Sequence, residues 1–101
     1  MRTVFAAIAL IAAAMAAPAG AQTREELNAR CVNSDRAHNF DTQVMACTTL
    51  MRGRNSDSTQ AQLFNSRGNA YRSQGQFGAA IADYDEAVRI DPQYANGFNN
   101  R

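Results

Sequence analysis

The stretch Ala61-Gln62-Leu63-Phe64-Asn65-Ser66-Arg67 returns at the end of the chain as Ala95-Asn96-Gly97-Phe98-Asn99-Asn100-Arg101. Four of the seven positions are identical: Ala61 and Ala95, Phe64 and Phe98, Asn65 and Asn99, Arg67 and Arg101. Each pair is 34 residues apart. Self-similarity at a fixed period of this size marks a repeat architecture, in which each unit buries its apolar face only by stacking on a neighbour. The residues between the two copies are the unit to be read.

They read as two helices. The first is predicted over 58–73, with Asp57 or Ser58 able to cap it by accepting free backbone N–H groups. Its inward stripe is Ala61, Phe64, Gly68 and Tyr71, at steps of three and four. Gly75 ends it, since glycine tolerates the positive φ common just past a helix. The second is predicted over 77–90, with Phe77, Ala80, Ile81, Tyr84, Ala87 and Val88 inward. Asp91-Pro92 stops it, because proline disfavours a helical conformation in the residue before it. Asp91 can then cap a following helix whose first turn accepts Pro92.

The segment 61–94 resembles a tetratricopeptide repeat, a helix-turn-helix unit of 34 residues. Phe64 takes the large fourth position, Gly68 the small eighth and Tyr71 the aromatic eleventh. Ala80, Tyr84, Ala87 and Pro92 take the twentieth, twenty-fourth, twenty-seventh and thirty-second. The pattern departs at two places: Phe64 stands for the commoner tryptophan and Arg67 for leucine. The resemblance implies an all-α, helix-turn-helix solenoid whose small residues let paired helices approach closely. It also implies a protein–protein interaction module, holding a peptide or partner protein in a concave groove without catalysis. In such proteins the groove is lined by polar positions of the first helix, here Gln62, Asn65, Asn69, Arg72 and Ser73, with Asn100 contributed by the next unit. Asn69 is at the position that commonly bonds a peptide backbone. The usual lysine of a carboxylate clamp is replaced by Asn65, and the chain contains no lysine, although Arg72 is able to supply a charge-assisted donor. The bland alternative is that these are ordinary solvated side chains.

The preceding segment reads as a second, divergent hairpin. Thr23 with Glu26 has the form of a capping box for a helix to about Asn33, with Leu27 and Cys31 on one face. Asp41 is the expected cap of a helix to about Arg52 carrying Val44, Cys47, Leu50 and Met51. An offset of 37 aligns Leu27 with Phe64, Cys31 with Gly68, Val44 with Ile81, Leu50 with Ala87 and Met51 with Val88. The small signature residues are missing, so this is either a divergent capping repeat or a non-repeat helical cap. Cys31 and Cys47 fall where the two helices touch. In an exported chain with two cysteines a disulfide is the default, and closing such a loop stabilises by roughly 3 kcal/mol. Redox or metal chemistry fits poorly: the spacing is not C-x-x-C, and His38 with two cysteines supplies only three ligands.

Residues 1–21 read as a removable leader. Arg2 precedes an apolar run, Val4 to Ala17, too short to span a membrane; Pro18 breaks it, and Ala19-Gly20-Ala21 forms a small-x-small cleavage site. No second apolar run follows, so no membrane insertion is expected after cleavage. The expected location is bacterial, periplasmic or secreted, hence oxidising. All ten basic residues are arginines; outside the leader nine face nine Asp and Glu. That balance argues against nucleic acid as a partner. No cofactor or metal is expected. No catalytic constellation appears: His38 has no motif partner, and Asp83, Asp85 and Glu86 are best read as a solvated acidic face, with Arg89 four residues after Asp85. The expected divisions are 1–21 leader, 22–57 helical hairpin, 58–94 repeat, and 95–101 the start of another repeat. The alternative function is a structural, self-associating envelope or assembly component joined through the exposed solenoid end at Phe98. One full repeat and a cap are fewer than the roughly three units solenoids need, so the 101 residues are expected to be part of a longer chain.

Overall fold

A computed structural model describes residues 22–93. The leader, Phe98, Asn100 and the rest of the 95–101 segment lie outside the described residues. Four helices follow in order: α1 (Arg24–Val32), α2 (Phe40–Met51), α3 (Asp57–Ser73) and α4 (Phe77–Ile90). Among the described residues there is no strand.

Each helix has a chemical reason to start where it does. Thr23 and Glu26 form the expected capping box on α1, the Thr23 hydroxyl accepting from the Glu26 N–H and the Glu26 carboxylate from the Thr23 N–H. These bonds hold the Glu26 carboxyl below its ordinary range. Asn39, rather than Asp41, caps α2 by accepting from the Thr42 N–H, and Ser56, rather than Asp57 or Ser58, caps α3 through the Thr59 N–H. Asp41 and Asp57 stand instead inside the first turn, where an acidic side chain favours the helix dipole, and Ser58 follows Asp57 in the same turn. Gly75, at φ 80, follows α3 as expected. Asp91 is extended ahead of Pro92, and its carboxylate accepts from the Gln93 N–H.

Packing joins α1 to α2, α2 to α3 and α3 to α4. Of the non-sequential pairs, α1 touches α3, while among the described residues α2 does not meet α4. First helices close together and second helices splayed apart bend the stack, which puts α1 and α3 on its inner side. The first core cluster comprises Cys31, Ala46, Cys47, Leu50 and Leu63, with Leu27 and Met51 against it. Cys31 and Cys47 form a disulfide with their Cα atoms 4.7 Å apart. Leu63 belongs to α3 yet completes the core of the first hairpin; burial of such a side chain contributes roughly 1.5–3 kcal/mol. On its other side α3 lays Gly68 against the Tyr84 ring, where an added Cβ would lie 2.6 Å from a ring carbon.

Because α3 is covered from both sides, its buried surface is wider than one stripe. Ala61, Leu63, Asn65, Gly68 and Ala70 are buried, while Phe64 and Tyr71 are half-buried. Phe77 and Ile81, expected inward on α4, are instead 62% and 50% exposed, because no described helix covers that face. Among the described residues no helix is long and apolar enough to cross a membrane.

Candidate binding face

The polar residues of α3 separate into three groups. Gln62, Arg72 and Ser73 are exposed, as a groove-lining role requires. Asn69 is half-buried and accepts a 2.6 Å hydrogen bond from the Tyr84 hydroxyl at its carbonyl oxygen. That leaves the Asn69 NH2 as the remaining hydrogen-bonding group of this amide. Asn65, expected among the groove-lining side chains or else solvated, does not lie on the open face. It is buried and its polar group is engaged, because it lies on the part of α3 that neighbouring helices cover.

Asn69, Arg72 and Ser73 line a surface depression of about 230 Å3 together with Asn33, Arg36 and Gln43. The floor is rigid. Asn33 ends α1 in the left-handed conformation, at φ 47, which asparagine tolerates better than most residues. Its side chain accepts from the His38 N–H and donates to the His38 carbonyl and to Gln43 Oε1. Buried Gln43 in turn donates to the carbonyls of Cys31 (2.9 Å) and Ser66 (3.3 Å). One side chain on α2 thus satisfies carbonyls on α1 and α3. Asn33 and Gln43 were not singled out from the sequence. A polar residue on the inner face of each helix is the only signal there, and it does not distinguish a structural amide from a solvated one.

A second polar network fastens α4 and α2 to α3. Arg67 donates twice to the Asp83 carboxylate, Nε at 2.8 Å and Nη2 at 2.9 Å, and once to Thr48 Oγ1 at 3.1 Å. Its guanidinium carbon also stands 5.5 Å from the Phe64 ring centroid and 5.7 Å from that of Tyr71. The hydrogen bonds Arg67 donates to Asp83 hold it protonated to a pH above its usual range, against the opposing effect of burial. Asp83 is therefore not on a solvated face. It is buried, and its charge is compensated by a two-pronged partner, which is the condition under which a carboxylate can be buried. Arg67, at the position where leucine was the expected type, serves as a bridge. Burial also pushes the Tyr84 hydroxyl above its ordinary range, with Arg72 pulling it back. Arg89 pairs with Glu86, one turn away on the exposed side of α4.

Among the described residues no group of three or more His, Cys, Asp or Glu is placed to hold a metal ion. Nor does any buried side-chain nitrogen or oxygen there lack a hydrogen-bond partner.

A sequence profile for the TPR repeat matches residues 68–101, from Gly68 through α4 to the end of the chain. Residues 68–101 carry a tetratricopeptide repeat. Within this repeat Gly68, Ala80, Tyr84 and Ala87 are buried and Pro92 stands in the turn that follows α4; just ahead of it Arg67 is flanked by half-buried Phe64 and Tyr71. Comparison with curated proteins and with solved structures returns no match. Tetratricopeptide repeats generally serve as protein–protein interaction modules.

Proposed function

We propose that this protein holds a peptide or partner protein against the inner face carried by α1 and α3, and performs no catalysis. The observation that carries this reading is the depression where Asn69 and Arg72 stand beside the end of α1. It offers an amide donor whose orientation is set by Tyr84 and a guanidinium on a rigid polar floor. Such groups bind the polar backbone of an extended segment. Asn100 is the expected contribution of the following unit to the same face. The test is site-specific photo-crosslinking in the native host, with the reactive group placed in turn at Asn69, Arg72 and, as an outward control, Ala82. Adducts concentrated at 69 and 72 support the reading; adducts concentrated at 82 sink it.

We read residues 22–57 as a divergent first repeat, followed by the repeat over 58–94, with 95–101 opening another. The equivalence of the Cys31–Cys47 bridge with the Gly68–Tyr84 contact supports that division. The compartment we propose is periplasmic or secreted. A buried disulfide and the leader-like 1–21 segment both support an oxidising environment.

A second reading has its own observation. Phe77 and Ile81, one turn apart on α4, are both large apolar side chains left exposed. Self-association through that end of the stack would cover them. Light scattering of the protein and of Ile81→Asp distinguishes the two: a larger species that falls to monomer in the variant supports self-association, and monomer in both removes it.

A further inference from the structure

Arg36 lies on the loop between α1 and α2, and that loop is closed from within. The Asn33 side chain bonds both backbone groups of His38, the Arg36 N–H donates to the Asn33 carbonyl at 3.0 Å, and the Asp35 carboxylate accepts from the Ala37 N–H. Arg36 itself has φ 57, a left-handed conformation uncommon for a residue with a side chain. The loop brings Arg36 to one side of the depression that Asn69 and Arg72 line from α3. No carboxylate lines it. The acids closest along the chain are otherwise engaged, Asp35 with its own loop and Asp41 with the Gln74 amide at 2.6 Å. Arg67 and Arg89, by contrast, are each matched by a carboxylate. Two arginines and an amide therefore line a hollow that no carboxylate lines, and Gln43, which also lines it, directs its own donors to backbone carbonyls.

We propose that this depression is an oxyanion site for a phosphate or sulfate group, with Arg36 and Arg72 as the charged ligands and Asn69 as a neutral donor. Each guanidinium presents several N–H groups in a fixed fork. Donors arriving from two sides, the loop and the helix, exceed what the two oxygens of a planar carboxylate accept in one plane. A tetrahedral oxyanion offers oxygens in several directions and is better matched. The proposal deepens the binding reading above and rests on it for its biological meaning: the partner presents an esterified phosphate or sulfate at this point. Tyr84 acts as a positioning residue, since its hydroxyl occupies the Asn69 carbonyl and leaves the NH2 to donate.

The test is a titration of the 101-residue chain with inorganic phosphate, followed by backbone amide shifts at constant ionic strength, with acetate as a matched control. Saturable shifts confined to residues 34–36 and 69–73 are expected. Half-saturation should move about tenfold in Arg36→Gln and in Arg72→Gln, equivalent to one charge-assisted hydrogen bond. Arg72→Lys, which keeps charge and loses the fork, should fall between. Both arginines are exposed, so unchanged shifts elsewhere will show that the variants fold. Acetate saturating the same amides equally well, or phosphate shifts that persist in the double variant Arg36→Gln/Arg72→Gln, overturns the proposal. Tighter binding of O-phosphoserine than of phosphate assigns the group to an ester on a macromolecule, and the reverse order to the free ion; both retain the site. Phosphate bound here while crosslinks concentrate at Ala82 removes the partner reading and leaves the anion site standing.

Discussion

If the first hairpin is read as a divergent repeat, as proposed above, the two hairpins place different chemistry at equivalent points. An offset of 37 residues carries Cys31 onto Gly68 and Cys47 onto Tyr84. In the first hairpin that point is a covalent bridge; in the second it is an aromatic ring laid on a residue with no side chain. Both solutions let two helix backbones approach closely. They differ in what they ask of the rest of the chain. The disulfide acts mainly by restricting the unfolded chain and needs little surrounding apolar surface. The ring depends on being covered: Tyr84 is 1% exposed, and α3 must supply the flat surface for it. The same offset sets Arg30 opposite Arg67 and Ala46 opposite Asp83. In the second hairpin arginine and aspartate form a two-pronged pair; in the first, alanine takes the place of the acid, and Arg30 borders a shallow groove with Leu27, Met45 and Ala46. The first hairpin thus relies on a covalent bridge where the second relies on packing and charge.

The largest effect should come from breaking the bridge. Cys31→Ala/Cys47→Ala, or reduction, is expected to lower stability by about 3 kcal/mol, read from urea unfolding. A loss below about 1 kcal/mol would mean that packing already holds the first hairpin as it holds the second. The reciprocal exchange, Gly68→Cys with Tyr84→Cys, should close a disulfide in the second hairpin on oxidation, detected as the mass lost with two hydrogens. Two persistent thiols in the folded variant would break the equivalence of the two points.

Gly68→Ala should cost roughly 1–3 kcal/mol, because the added methyl meets a ring with no room to move. An unchanged melting temperature would show that the ring shifts freely. Asp83→Asn should cost about 1 kcal/mol, discounted because the arginine side of the pair is partly solvated, and Ala46→Asp should return a fraction of that by giving Arg30 the partner that Arg67 already has. A double-mutant cycle of Asp83→Asn with Arg67→Met isolates the pair; zero coupling would show that packing alone places Asp83.

The smallest effect is in pH. Burial raises the Tyr84 pKa in the folded protein, so its contribution to stability is complete below the ordinary tyrosine value of 10.0 and is lost as pH rises through the folded value. The bridged hairpin has no titrating group at that point. Alkaline unfolding monitored by tyrosinate absorbance should therefore be delayed in Tyr84→Phe relative to its own neutral-pH stability. An identical alkaline slope would place the pH sensitivity elsewhere.

Much of this was legible along the chain. The 34-residue echo, the small residue at Gly68, the capping box at Thr23, the stop at Gly75 and the pairing of Cys31 with Cys47 each depend on residues close in sequence or on one period, so local rules reach them; that it is the Tyr84 ring that lies on Gly68 came from the structure. The candidate face was legible only in part. Asn69 and Arg72, candidates from the sequence, line the depression, but Asn33, Arg36 and Gln43 join them only because the end of α1 and the start of α2 fold back against α3.

What the sequence alone determined is the unit: helix, turn, helix, and the small or bridging residues that let each pair approach, all set by backbone preferences and side-chain size within a few turns. What tertiary structure decided is which polar residues of α3 and α4 are buried. Asn65 and Asp83 carry the same side chains as many solvated residues. They are buried because α3 is covered by a hairpin on each side, and Asp83 is tolerated there because Arg67, a turn of chain and a helix away, reaches it with two hydrogen bonds. A helical period gives the direction of a side chain; only the neighbours that arrive on that side determine whether it meets water.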